Sequence, residues 1–291
     1  MSTTFDIAVL PGDGIGPEIM PICIDIIDEA VRTIGGFTLN YSEFPAGASA
    51  YQKTGEALPA DTLKNVKNAH AVLFGAAGMP DIRYPDGTEI VPQIELREKL
   101  ELYAGVRPIR SIPGAPTPLS DPRARNIDFV IVRESTEGLF AAREFHSIED
   151  DRVARDTMVI TRETSERLFE FAFKLTSKRK EKGSPGVLTC VDKANVLPSM
   201  AFFRKIFDEC AQRQTGVQAE HAYVDATALN LVRQPWIFDG MVMENMYGDI
   251  LSDLGAGLIG GMGMAPSGDV GDTYAVFQPC HGSAPDIAGT G

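Results

Sequence analysis

Basic residues are scarce in this sequence. Its 291 residues carry 27 lysines and arginines against 40 aspartates and glutamates, a formal charge of −13. Such a surface repels phosphate backbones, so nucleic-acid binding is disfavoured. Acidic small molecules are not excluded, because they need only a local group of arginines. Cysteine is sparse as well. Cys23, Cys190, Cys210 and Cys280 form no C-x-x-C pair, and no histidine stands at zinc-finger spacing. They read as reduced thiols, small buried hydrophobes of a cytoplasmic protein. No apolar run approaches the length of a membrane span, which argues against membrane insertion. The opening MSTTFDIAVLPGDG has neither the basic nor the long apolar segment of a secretory signal. The P-loop pattern G-x-x-x-x-G-K-[ST] is also missing, which removes the phosphate-transfer reading it would support.

What remains is the composition of a soluble globular chain, 44% hydrophobic, long enough for one large domain or two ordinary ones. Short β-rich runs alternate with longer amphipathic stretches, which predicts an α/β protein. Strands are expected at Asp6–Leu10, Ala71–Phe74, Ile127–Val132, Gly186–Val191, Ala222–Val224 and Gly240–Met243. Helices are expected at Pro17–Thr33, Ile94–Tyr103, Thr161–Thr176, Pro198–Gln212 and Tyr247–Leu258. The charged stretch Ala141–Thr157 reads as a loop or a protruding hairpin. Four of the strands run into polar residues: Arg133-Glu134-Ser135, Asp192-Lys193-Ala194-Asn195, Asp225, and Glu244-Asn245. Ligands of open α/β sheets bind beyond the carboxyl ends of strands, so this edge is the expected site.

Within that edge the chemistry is suggestive but local. Asp249 and Asp253 lie four apart, so a helix projects both carboxylates from one face. An acidic pair of this kind is ordinarily a solvated face. A divalent cation would convert its repulsion into coordination, and an all-oxygen set suits Mg²⁺ or Mn²⁺, with Asp225 as a third ligand. Lys193, just past a strand, can be partly desolvated into a base, although a lone turn lysine is usually only solvated. Arg97, Arg107 and Arg133 can recognise carboxylates through bidentate pairs, although each alone reads as a surface ion pair. The loop LPGDGIGPE has G-x-G-x-G spacing, one residue short of the dinucleotide fingerprint, and is not read as a pyrophosphate site. In CHGSAPDIAG, glycines permit close backbone approach and Asp286 can accept from ribose hydroxyls, favouring NAD over NADP.

Taken together, GDGIGPE at 12–18, LREKLELYAGVRP at 96–108, VRESTEG at 132–138, VDKANV at 191–196, NMYGDILSD at 245–253 and HGSAPDIAG at 281–289 resemble the β-decarboxylating dehydrogenases. That family includes 3-isopropylmalate, isocitrate, homoisocitrate, tartrate and D-malate dehydrogenases. The resemblance implies an isopropylmalate dehydrogenase-like fold of two α/β domains with a cleft between them. A discontinuous large domain would take residues 1–102 and 259–291, and a small domain with the dimer interface 103–258. It implies a homodimer whose shared active sites oxidise, with decarboxylation, a small 2-hydroxy dicarboxylic acid using NAD and Mg²⁺ or Mn²⁺. Arg97, Arg107 and Arg133 would hold substrate carboxylates. Asp249 and Asp253 would bind the metal, joined by Asp225 of the other subunit. Lys193, also from the other subunit, would assist removal of the hydroxyl proton. Asn195 would lie near the nicotinamide, and His281, Gly282, Ser283, Asp286 and Ile287 would form the adenosine end of the cofactor site.

The sequence departs from the family pattern in several places. The family's proton-donating tyrosine is replaced by Phe140, and a common glutamate by Gln278. Ile90, Val91, Gln93 and Ile94 match neither the isopropylmalate nor the isocitrate pattern, which leaves the acid open. Family members continue past DIAG-x-G, so ending at Gly291 implies either a truncated large domain or a tail beyond this sequence. Phe140 and that end motivate an alternative, a catalytically impaired homologue that binds NAD or a partner. The retained lysine, aspartates and arginines speak against it.

Overall fold

A computed structural model describes residues 3–141 and 146–290. Along the chain it runs β1 (Thr3–Gly12), α1 (Gly16–Ile34), β2 (Phe37–Glu43), α2 (Ala48–Thr54), α3 (Ala60–Asn68), β3 (Ala71–Ala76), α4 (Pro92–Lys99), β4 (Ala104–Arg110), β5 (Asp128–Glu134) and α5 (Gly138–Ala141). It continues with β6 (Ser147–Glu149), β7 (Val153–Arg155), α6 (Arg162–Glu181), β8 (Val187–Asp192), α7 (Pro198–Ala211), β9 (Gln218–Tyr223), α8 (Val224–Arg233), β10 (Gly240–Met243), α9 (Asn245–Leu258), β11 (Pro266–Val270) and β12 (Ala275–Pro279). The chain divides into two compact units, one formed by Met1–Leu102 with Gly268–Gly291, the other by Tyr103–Ser267. The fold is mixed α/β, as the alternation of short apolar runs and amphipathic stretches predicts.

In the first unit the strand order is β2-β1-β3-β12-β11. β1 lies parallel to β2 and β3, and β12 parallel to β3. One cluster packs Leu10, Val72, Phe74, Val276, Leu96 and Leu102, drawn from the strands and from the α4 region. A smaller cluster, of Ile7, Val9 and Met20, lies under α1. Pro17 sits in the first turn of α1, where its missing N–H costs no helical bond. The expected helix Ile94–Tyr103 is shorter, because Leu100 caps α4 and Glu101 takes φ +52°, outside the helical basin.

In the second unit the order is β4-β5-β10-β8-β9. β5, β10, β8 and β9 are parallel, and β4 alone runs antiparallel to β5. Parallel strands place their carboxyl ends on one edge, and the reversed β4 brings its amino end there too. α6 and α7 cover this sheet with buried aromatics: Phe169 lies 4.6 Å from Phe203, and Phe173 stacks at 5.3 Å on Phe207. Glu244 caps α9 by accepting from the Met246 and Tyr247 N–H groups. The strand expected at Ala222–Val224 ends at Tyr223, and Val224 already begins α8. That helix follows β9 without a turn, and its apolar residues are split between a buried Leu231 and exposed Leu229 and Val232. In the charged stretch after α5, β6 and β7 form an antiparallel hairpin. Its turn residues Asp150 and Asp151 both have positive φ, the backbone that suits a tight hairpin.

Candidate active site

Arg133 is the centre of a buried cluster. It stands near the end of β5, and its Nε and Nη2 donate to Asn245 Oδ1 at 2.9 and 2.7 Å. Its Nη1 meets Asp249. Asn245 is held in turn by donating to the Glu137 carbonyl at 2.8 Å. Gly248 makes this packing possible. A Cβ there would lie 2.5 Å from Arg133 Cγ and 2.6 Å from its Cβ. Arg107 is also buried, and it reaches the same edge because β4 runs against β5, with Gly105 opposite Arg133. One turn beyond Asp249 on α9, Asp253 has its carboxyl pushed up by partial burial and by Asp249, while Arg133 and Arg107 pull it down. Two guanidiniums and two carboxylates therefore act on one another. The half-buried Phe140 places its ring 5.6 Å from the Arg133 guanidinium carbon.

Lys193 forms a second pair. Its Nζ donates to Asp225 Oδ1 at 2.6 Å, and that bond holds the exposed Asp225 carboxyl below its ordinary range. Asp225 occupies the first turn of α8. The turn carrying Lys193 is braced from behind. Buried Asp192 accepts from the Ala194 N–H at 2.8 Å and binds Arg204 through two 2.7 Å contacts. Asn195 is exposed on this turn. Among the described residues, the one trio of side chains close enough to share a metal is Cys190, Asp192 and His221. Asp225 is thus not gathered with Asp249 and Asp253 inside one chain.

Arg97 and the CHGSAPDIAG segment belong to the first unit. Arg97 is buried, and its Nε donates to Asp269 Oδ2 at 3.1 Å. Gln278 donates to the same oxygen at 2.7 Å, a bond that a glutamate carboxylate could not offer. Gly282, Asp286 and Ile287 are exposed, His281 is half-buried, and Ser283 is buried with its hydroxyl donating to the Gly78 carbonyl. The Ser283 carbonyl accepts from Ile15 at 2.8 Å, so the first glycine loop supports this segment. A Cβ on Gly14 would lie 2.1 Å from that carbonyl, which accounts for the glycine structurally.

Sequence reasoning assigned no individual role to three buried carboxylates, Asp13, Glu134 and Glu244. Asp13 accepts from the N–H groups of Ala48, Ser49 and Gly78 and so ties the loop to α2. Glu244 caps α9. Glu134 accepts from Thr136 N, Thr136 Oγ1 and Glu137 N, yet burial pushes its carboxyl up to about 7. The S/T-x-x-E spacing that flags some caps does not describe any of them, so no local signal was available.

A family model described as isocitrate/isopropylmalate dehydrogenase matches residues 6–291. The 3-isopropylmalate/3-methylmalate dehydrogenase of Methanocaldococcus jannaschii is 40% identical over 284 residues, covering 97% of this chain and 79% of the relative. The isocitrate/homoisocitrate dehydrogenase of Thermus thermophilus is 40% identical over 288 residues, covering 99% and 80%. Among solved structures, the isocitrate dehydrogenase of Methylococcus capsulatus matches with a TM-score of 0.85 at 36% identity, covering 99% of this chain and 80% of that one.

Proposed function

The chain belongs to the isocitrate/isopropylmalate dehydrogenase family, and we propose that it carries out metal- and NAD-dependent oxidative decarboxylation of a small 2-hydroxy dicarboxylic acid. The observation that carries this reading is the meeting of buried Arg133 and Arg107 with the acidic pair Asp249 and Asp253. Buried guanidiniums fix a substrate carboxylate through paired charge-assisted hydrogen bonds. Arg97 has the same role in this reading.

The metal fits the residues present. Asp249 and Asp253 repel each other from one helix face, and their all-oxygen donors suit Mg²⁺ or Mn²⁺. Asp225 of a second copy completes the set. When bound, the cation supplies a Lewis acid at the substrate's hydroxyl and the nicotinamide supplies the hydride acceptor. The chain's own residues do the rest. Lys193, released from Asp225, takes the hydroxyl proton. Asn195 serves the nicotinamide end, while His281, Gly282, Ser283, Asp286 and Ile287 serve the adenosine end. The exposed Asp286 carboxylate accepts from ribose hydroxyls and would repel a 2′-phosphate. Loss of carbon dioxide leaves a carbon that must be protonated, and Phe140 cannot donate. Water or another group supplies that proton here.

A homodimer is part of this reading. Leu229 and Val232 of α8 and Ile250 of α9 are apolar and exposed, and a second copy would bury them. The free thiols of Cys23, Cys190 and Cys210 accord with a reducing, cytoplasmic setting. Among the described residues no helix is long and apolar enough to cross a membrane.

The test is NADH production from 3-isopropylmalate, isocitrate, homoisocitrate, D-malate and tartrate with Mn²⁺, then with EDTA, alongside carbon dioxide release. Reduction of NAD with one acid, abolished by EDTA, is expected. Phe140→Tyr should then raise the ratio of carbon dioxide to NADH. Absence of NADH from every acid, in a folded dimer, would favour the impaired homologue, a reading motivated by Phe140 standing where a proton-donating tyrosine is expected.

A further inference from the structure

Cys190 has no part in the dehydrogenase chemistry, yet its surroundings are those of a ligand. β8 and β9 pair in parallel with Cys190 opposite His221. Asp192, two residues on, points to the same face of the sheet as Cys190. The Cys190 sulfur, an Asp192 oxygen and a His221 ring nitrogen all lie within 4.8 Å of one another. α7 lays Asp208 against the rim of this trio, its Oδ1 2.8 Å from His221 Nε2. We propose that Cys190, Asp192 and His221, with Asp208 holding the His221 ring, form a binding site for a thiophilic divalent cation of the zinc class, separate from the all-oxygen pair on α9.

Donor type supports the assignment. One sulfur, one imidazole nitrogen and one carboxylate make a mixed three-donor set, which selects zinc over magnesium and leaves a position for water. Charge supports it too. Asp192 and Asp208 bring two negative charges, and Arg204 binds Asp192 through Nε on Oδ2 and Nη2 on Oδ1, both at 2.7 Å. That leaves one negative charge. Cys190 releases its proton to solvent on coordination and adds a second, matching a divalent ion. Arg204 keeps its Nη2 contact to Oδ1 and shares Oδ2, the oxygen already 3.9 Å from the Cys190 sulfur. Access comes from the edge strand β9. The His221 and Asp208 side chains are 32% and 50% exposed, whereas Cys190 is sealed beneath them. Asp192 also accepts from the Ala194 N–H, so the site is mechanically joined to the turn that carries Lys193.

The test uses the full chain, freed of metal by a chelator and titrated with Cd²⁺ alone, then with Co²⁺ alone, as spectroscopic probes. A thiolate-to-metal charge-transfer band that saturates at one ion per chain is expected. Cys190→Ser should abolish the band, and His221→Ala, a change at the exposed rim, should weaken binding about tenfold or more. Asp249→Asn with Asp253→Asn should leave the band in place. The proposal is overturned if no band forms, if Cys190→Ser retains it through another thiol, or if His221→Ala binds as tightly as the parent.

Discussion

Arg133 and Lys193 each hold an aspartate at the carboxyl edge of the second unit, yet their settings differ. The Arg133 side chain is 5% exposed and is fixed by Asn245, by Asp249 and by the gap that Gly248 leaves. The Lys193 side chain is 27% exposed, and its partner Asp225 is 67% exposed. Exposed pairs of this kind contribute little to stability, about 0–1 kcal/mol. Breaking a buried cluster strands the groups left behind. The difference teaches that one part of the proposed site is finished within a single chain. The other is held open, as a group that must exchange its partner or act on a second copy would need to be.

The sharpest way to break the comparison is Arg133→Ala. Two charge-assisted hydrogen bonds at about 2 kcal/mol each predict a loss in kcat/KM of roughly 10³-fold, accompanied by a lower Tm. Steady-state kinetics and thermal unfolding together read both effects. An Arg133→Ala protein with unchanged Tm would show that the cluster is not structural. Lys193→Met should lower kcat by about 10²-fold, the contribution of a positioned base, with unfolding free energy unchanged to within about 0.5 kcal/mol. A large stability loss there would erase the contrast drawn above.

Gly248→Ala attacks the buried cluster without touching a charge. The added methyl would strike Arg133, costing roughly 1–3 kcal/mol in denaturant unfolding and about tenfold in turnover. No change in either would mean that α9 shifts freely. The smallest effect concerns Glu134, whose folded pKa of about 7 lies above its ordinary 4.5. Folding therefore favours the protonated form. Its stabilising contribution is full below about pH 4.5 and is lost as pH rises through about 7. Stability should fall by the order of 1–3 kcal/mol across that window and flatten in Glu134→Gln, as measured by urea unfolding at several pH values.

Part of this was legible from residues a turn apart. The spacing of Asp249 and Asp253 needs only a helix, and α9 forms there. The polar residues that follow β5, β8 and β10 needed only parallel strands to share an edge. Other features had no local signature. Arg107 reaches its place because β4 is reversed, and Gly248 matters only because Arg133 crosses it. The carboxylates of Asp13 and Glu134 are buried by contacts that look like ordinary turns in one dimension. α8 hid because it follows β9 without a break, so no turn residues mark its start.

Composition, periodicity and motif order determined the α/β class, the family and the residue types available for chemistry, since these follow from local propensity and short-range spacing. Tertiary structure alone decided which of them meet. Arg133 and Asp249 are 116 residues apart, Lys193 and Asp225 are 32 apart, and Cys190 faces His221 across a strand pair. Such meetings depend on strand order, strand direction and register, which follow from packing the whole sheet against its helices.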